Sequence, residues 1–391
     1  MANDPLTTII GEGVLAVSGE IEGAVRFRVE PRGYHLDKFV RLITVMHCAD
    51  DRYMPTTSPS LAADASSASK PAAGHPGIQS LRVARKDVIA DGVVRLRLEE
   101  PHNGRVPDWT PGSHIELVLP TADAGALSRH YSLCGDRWDA HAYEVAVLNE
   151  PNSKGGSRYI HDGLAVGDML TVGTPRNNFH LTQATRYEFI AGGIGITPIM
   201  TMIAAAEQLG IDWHLHYGGR TRASMAFLYE LAQYGDKVTI WPQDELGHLN
   251  LSFLNEPVDG GRVYCCGPEP LLNAVAAAAA VWPSWAVRFE RFVPATLPAP
   301  VRTEPFELEL ALSKRCITVG TDETVLSALS DAGVPVLSSC NEGVCGTCEV
   351  SVLRGTPEHR DSLLNDAERA KNDRMFVCVS RAITDRLVLD L

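Results

Sequence analysis

Four cysteines near the C-terminal end are the residues whose spacing speaks most directly of chemistry. Cys340, Cys345 and Cys348 sit in CNEGVCGTC and Cys378 follows in FVCVS, giving C-x4-C-x2-C and then C-x29-C. This is the plant-type spacing for a [2Fe-2S] cluster, in which each of two irons takes two thiolates. Gly343 and Gly346 let the loop close tightly and turn backbone N–H groups toward the sulfurs, donors that a buried anionic cluster needs. A structural zinc site is the alternative, but zinc favours C-x2-4-C pairs separated by a longer span, and three cysteines in nine residues fit it poorly. Cys316, on the hairpin just upstream, is expected to be an ordinary core thiol.

Four glycine-bearing turns could meet phosphates. Gly155, Gly156 and Ser157 precede a predicted helix, where small residues let N–H groups and the helix dipole reach an anion; alone, such a turn is more often a plain helix cap. Ala191-Gly192-Gly193-Ile194-Gly195-Ile196-Thr197-Pro198 ends a buried strand and runs straight into a helix. That is the carboxyl end of a parallel strand, where such sheets bind ligands, and its glycines permit close approach to a pyrophosphate. It is not the G-x-G-x-x-G fingerprint. Cys266-Gly267-Pro268 closes a later strand and by itself is more often a simple αβ turn. Gly219-Arg220-Thr221-Arg222 follows the second strand of the same segment, where a ribose edge would lie and two arginines could hold a 2′-phosphate.

The elements that must position these residues fall into blocks. Residues 1–53 contain strand-like stretches (GVLAVSGEI, AVRFRVE) and a possible helix over 36–46, with no chemistry attached. Residues 54–77, rich in Ser, Ala and Pro, bury too little apolar surface to offset chain entropy and read as a linker. Over 78–182, six short alternating strands (LRVARKDVIA, VVRLRLEE, HIELVLP, RHYSLCG, YEVAVLN, MLTVG) predict an antiparallel β-barrel or sandwich. Over 183–293, strands such as YEFIAGG, WHLHYGG, VTIWPQ and RVYCCG alternate with helical stretches such as MAFLYELAQYG and PLLNAVAAAA, which predicts an α/β parallel sheet. A proline-containing linker, 294–305, leads to 306–391, where the hairpin FELELALSKRCITV, a helix over 324–332 and the four cysteines predict an α+β module.

Composition narrows the functional class. With 35 basic and 48 acidic residues the net charge is -13, which argues against nucleic acid or an anionic membrane as the main partner. No apolar run approaches the roughly 20 residues that span a bilayer. Nine cysteines in 391 residues are too few for a disulfide scaffold. No secretory signal is visible, and the chain is expected to be cytoplasmic.

The last block resembles a plant-type ferredoxin domain of the β-grasp kind over its whole length. The strand Arg129-His130-Tyr131-Ser132-Leu133-Cys134 upstream of the Gly-Gly-Ser turn resembles the flavin-binding barrel of the ferredoxin reductase superfamily. In register behind it, G-G-I-G-I-T-P and C-G-P look like the nicotinamide turns of the same reductases. Together with Pro175-Arg176-Asn177-Asn178-Phe179 and the order barrel, nucleotide domain, ferredoxin, residues 78–391 resemble the phthalate dioxygenase reductase and vanillate demethylase reductase family. The first 53 residues depart from the family pattern.

The resemblance implies FMN, with Arg129 on its phosphate beside Gly155, Gly156 and Ser157, His130, Tyr131 and Ser132 along the flavin, and Ala146, Val147 and Leu148 flanking it. It implies NADH across Gly192, Gly193, Gly195, Ile196, Thr197, Pro198, Cys266, Gly267 and Pro268, with Thr197 and Cys266 shaping the nicotinamide site and Phe292, from Phe289-Glu290-Arg291-Phe292, as the aromatic near the flavin. Arg220 and Thr221 would line the ribose edge, which leaves NADPH open. Cys340, Cys345, Cys348 and Cys378 would hold the cluster. The implied function is electron transfer from NADH through FMN and [2Fe-2S] to a terminal Rieske-type oxygenase. A cytochrome P450 or di-iron hydroxylase as acceptor is the alternative, and a flavin and iron-sulfur redox sensor without turnover a minor one.

Overall fold

The computed structural model describes residues 7–10, 13–16 and 78–391, apart from 121–125, 152 and 295–298. The chain divides into two compact units, Met1–Lys70 and Pro71–Leu391. Of the first, an antiparallel hairpin of β1 (Thr7–Ile10) and β2 (Gly13–Ala16) is described. The strand expected over AVRFRVE, the helix over 36–46 and the linker 54–77 lie outside the described residues.

The second unit opens with the six expected strands: β3 (Ile78–Ala90), β4 (Val93–Glu99), β5 (Ser113–Pro120), β6 (Ala126–Ser132), β7 (Ala142–Leu148) and β8 (Met169–Gly173). Their order is β6-β5-β8-β3-β4-β7, all antiparallel. Just past β6, Leu133 bridges to Val145 on β7 and closes the sheet on itself. Alternation fills the interior: Leu81, Val83, Leu96, Leu98, Ile115, Leu117, Tyr143 and Val145 are fully buried. A seventh strand, β9 (Arg176–Asn177), pairs with the start of β5. Its two residues are too short a run for periodicity to reveal.

A parallel sheet follows, β10 (Arg186–Gly192), β11 (Asp212–Gly219), β12 (Val238–Pro242), β13 (Arg262–Cys266) and β14 (Val287–Glu290), in the order β12-β11-β10-β13-β14. β10, at the centre, is buried from Tyr187 to Gly192, because helices cover both faces of such a sheet. The helix Ile196–Leu209 leaves its carboxyl end and stops at Gly210 in the left-handed region, and Glu269–Ala278 follows β13. The stretch 225–235, expected as one helix, is a single α turn, Leu228–Leu231, running into 3-10 structure; Phe227 and Gly235 carry positive φ and interrupt it.

The last module is a mixed sheet of β15 (Phe306–Leu310), β16 (Arg315–Val319), β17 (Glu349–Arg354), β18 (Pro357–Glu358), β19 (Arg374–Phe376), β20 (Arg381–Ala382) and β21 (Arg386–Leu389). Its main order is β16-β15-β21-β17-β19, β18 and β20 pairing separately. The helix Val325–Asp331 packs on it, started by a capping box in which Thr324 and Ser327 satisfy each other's backbone N–H. Cys316 is exposed, not a core thiol, because β16 is an edge strand and that position faces outward beside Arg386. Among the described residues no helix is long and apolar enough to cross a membrane.

Candidate functional site: a thiol-lined loop docked on a barrel face

The 340–348 loop is built from residues that accept positive φ. Asn341, Gly343 and Gly346 all lie in the left-handed region, which bends the chain around the sulfurs and brings the Glu342 N–H to 3.3 Å from Cys340 Sγ. The thiols come as two hydrogen-bonded pairs, Cys340 with Cys345 and Cys348 with Cys378. Sharing a proton favours one thiolate in each pair: Cys345 is pulled down to about 6 by Cys340, and Cys348 is lowered by Cys378, while their partners are raised. Among the described residues no three His, Cys, Asp or Glu side chains converge on one metal position. Two pairs of soft thiols fit two irons with two thiolates each, and do not fit one tetrahedral zinc.

This loop rests on the outer face of the barrel. Along β5 and β6, Ile115 and Leu117 point inward, while His114, Glu116, Ser128 and His130 share the other face. Ser339, next to Cys340, donates to Glu116 Oε1 at 2.5 Å and lies 3.0 Å from Ser128 Oγ and 3.3 Å from His130 Nε2. Burial works against the Glu116 carboxylate, but the hydroxyls of Ser128 and Ser339 hold its pKa below the usual range. His114 is pushed down to about 3 by burial and by the charges of His130 and Arg176. Lys154 pairs with Glu342 at 2.9 Å on the exposed rim.

The residues expected at the flavin gather at one end of the barrel. Arg129 lies along Gly156 so closely that a Cβ there would be 2.9 Å from Arg129 Cγ. Gly155, at φ 105, turns the chain into the short helix Gly156–Arg158, and buried Ser157 accepts from the Glu150 N–H at 3.2 Å. Buried Ser132 Oγ has no partner in the protein, a polar atom left for a bound group. Ala146 is buried and, with Leu148, packs toward the parallel-sheet domain, whereas Val147 is inside the barrel. Tyr131 packs along the barrel core, and His130 faces the thiol loop instead. An arginine beside a bare glycine turn, an orphaned hydroxyl and an apolar wall suit a phosphate-bearing planar cofactor.

Opposite stand the two turns of the parallel sheet. β10 and β13 are adjacent, with Ala191 level with Cys266, so the G-G-I-G-I-T-P and C-G-P turns emerge side by side. A Cβ on Gly195 would lie 2.3 Å from the Cys266 carbonyl oxygen, which only glycine allows. Thr197 is buried and donates to the Ile194 carbonyl at 2.9 Å. Cys266 Sγ sits 3.8 Å from Glu290 Oε2, and withdrawal from water pushes that carboxyl up to about 8. Phe292, just beyond β14, is 42% exposed. Arg220 is exposed; Thr221 caps a 3-10 turn and Arg222 is tied to Glu245 by two bonds of 3.2 and 2.9 Å.

The family model for a 2Fe-2S iron-sulfur cluster binding domain (Fer2) matches residues 309–382. Phenoxybenzoate dioxygenase subunit beta of Ectopseudomonas oleovorans is 40% identical over 80% of this chain and 97% of its own. Phthalate dioxygenase reductase of Burkholderia cepacia is 33% identical over 81% of this chain and 98% of its own length. The chain belongs to the phthalate dioxygenase reductase family. A solved structure of phthalate dioxygenase reductase, described as modular for electron transfer from pyridine nucleotides to [2Fe-2S], superposes with a TM-score of 0.57 at 32% identity, over 81% of this chain and 98% of that one. An intact type IV self-sufficient cytochrome P450 monooxygenase gives a TM-score of 0.75 at 43% identity, over 80% of this chain and 41% of that one.

Within this phthalate dioxygenase reductase-family architecture, the structure sets Arg129 beside Gly156 and the 191–198 turn beside Cys266, turns Val147 into the barrel and His130 toward the thiol loop, and leaves Arg220 and Phe292 exposed, while adding residues that sequence reasoning missed. Glu290 lies inside the Phe289–Phe292 motif valued only for its aromatic ring, at the end of a half-buried edge strand whose sequence carries no signal that marks the carboxyl. Glu116 and Ser339 are 223 residues apart and carried no local signal at all.

Proposed function

We propose that this chain is the NADH-dependent reductase component of an oxygenase system, moving electrons from the nicotinamide through FMN and a [2Fe-2S] cluster to the oxygenase. The observation that carries this reading is the seating of Ser339, next to Cys340, on the barrel face formed by Glu116, Ser128 and His130, with the G-G-I-G-I-T-P and C-G-P turns in the same unit. When bound, the flavin and the cluster together turn one two-electron hydride into two single-electron transfers, chemistry that side chains cannot supply. The chain's own residues position and insulate. The Gly192–Pro198 and Cys266–Pro268 turns would present backbone to the dinucleotide, Arg129 and Gly156 would meet the flavin phosphate, and Cys340, Cys345, Cys348 and Cys378 would hold the cluster, one pair of thiolates to each iron. The shared apolar core of Val93, Ala146, Phe179, Tyr264 and Cys266 keeps water from the seam between barrel and sheet.

NADH is favoured over NADPH because Arg222 is already neutralised by Glu245, and Asp244 stands next to it. Carboxylates at a ribose edge suit a 2′-hydroxyl and repel a 2′-phosphate. The acceptor is a Rieske-type terminal oxygenase, in keeping with relatives named for dioxygenases and monooxygenases. A cytoplasmic setting agrees with the described cysteines all being free thiols. The likeness to a self-sufficient P450 monooxygenase supports a second reading, in which the acceptor is a haem monooxygenase.

The test uses two acceptors, ferricyanide, which takes electrons from flavin, and cytochrome c, which draws on the cluster. Cys345→Ser is expected to keep NADH-dependent ferricyanide reduction and lose cytochrome c reduction to background. Equal cytochrome c rates in both proteins would refute the path, and absence of NADH oxidation in the parent would refute the whole reading.

A further inference from the structure

The segment 175–179, which the sequence presents as a connector, sends its side chains to three different bodies. Asn177 Nδ2 donates to Thr110 Oγ1 and to the Pro111 carbonyl, both at 2.8 Å, fastening the segment to the barrel. Phe179 is buried edge-on against Tyr264 in the core of the parallel-sheet domain. Arg176 and Asn178 leave in a third direction, to the thiol loop. Asn178 Nδ2 donates to the Cys345 carbonyl at 2.9 Å, and Gly346 lies so near that a Cβ there would be 2.6 Å from the same nitrogen. The Arg176 guanidinium donates to Thr347 Oγ1, which is itself 3.1 Å from Cys345 Sγ.

We infer that Arg176 and Asn178 are positioning residues for flavin-to-cluster electron transfer, clamping the 345–347 turn against the flavin barrel. This rests on the function proposed above. Electron tunnelling weakens steeply with each added ångström, so a loop that carries a redox centre must be held, not merely tethered. Three other contacts reach the loop: Lys154–Glu342 is an exposed pair of small worth, buried His114 of the barrel meets the Cys345 backbone, and Ser339 grips the far end, beside Cys340. Small polar interfaces between modules of one chain are mobile unless pinned. Arg176 and Asn178 suit the task because β9 is hydrogen-bonded into the barrel, with Asn177 level with Ser113 and Arg176 level with His114. A clamp rooted in a sheet holds its target more tightly than one rooted in a loop.

The experiment uses the full chain loaded with FMN and cluster. Asn178→Asp keeps the shape against Gly346 but replaces the donor by an acceptor that the Cys345 carbonyl repels. Arg176→Met removes the other donor, and Arg176→Lys restores one. In Asn178→Asp and Arg176→Met, ferricyanide reduction by NADH is expected to stay at the parent value. Transient flavin-to-cluster transfer falls about tenfold, as expected when one hydrogen bond holding a two-position loop is lost. Amide hydrogen exchange across 343–349 speeds up by a similar factor, and Arg176→Lys recovers most of both losses. Unchanged transfer and exchange in both variants, or an equal fall of ferricyanide and cluster reduction, would overturn the clamp. A parent enzyme that reduces ferricyanide but leaves its own cluster oxidised would instead sink the underlying functional reading.

Discussion

Glu290 shows how much one side chain's surroundings decide. Its carboxyl, set against Cys266 at the end of β14, is pushed up to about 8 because the site withdraws it from water. A carboxyl whose folded pKa is raised contributes stability that is complete below the ordinary value near 4.5 and is lost as pH rises through about 8. Glu290→Gln mimics the protonated form. The thermal midpoint of the parent is therefore expected to drop between pH 6 and pH 9 by more than that of Glu290→Gln, scanned in the same buffers; parallel drops would show that Glu290 does not carry the titration. At the same scale, Cys345→Ser is expected to separate the two electron acceptors, because it removes one of the two thiolates that would hold one iron while Arg129 and Gly156, at the proposed flavin phosphate site, are untouched.

Between elements, the closest fit is the meeting of two turns. The carboxyl ends of β10 and β13 bring Gly195 against the Cys266 carbonyl, where an added methyl would lie at 2.3 Å from backbone that cannot swing aside. Gly195→Ala forces the turns apart, with an expected cost of about 1–3 kcal/mol in stability and a KM for NADH raised roughly tenfold or more. Denaturant melts and steady-state kinetics check the two, and an unaltered KM would mean that the dinucleotide does not bridge these turns. The six barrel strands and the central strands of the parallel sheet were legible in the sequence, since period-two alternation and a continuous apolar run each follow from how many faces a strand buries. The stretch 225–235 misled because its apolar content suited a helix while Phe227 and Gly235 adopt positive φ. Cys316 misled because a cysteine on an alternating strand does not say which face is covered.

At the level of the whole molecule, Pro71–Leu391 is a compact unit by itself. Deleting residues 1–76 is expected to leave NADH-dependent ferricyanide and cytochrome c reduction unchanged, with oxygenase-coupled turnover as the comparison that shows whether the first unit helps to dock the acceptor. Loss of the artificial-acceptor rates would mean that the first unit supports the redox modules. By itself the sequence determined the cluster chemistry of the last module, because the thiol spacing is a local pattern whose function follows from residue type and short-range geometry, whereas the Gly-Gly-Ser turn and the two strand-end turns took their cofactor reading from their order along the chain and the resemblance it carries. Only the tertiary structure decided how the modules meet. Glu116 on Ser339 and Asn178 on Cys345 join residues 167 to 223 positions apart. No periodicity encodes such contacts, because they arise when separately folded surfaces pack.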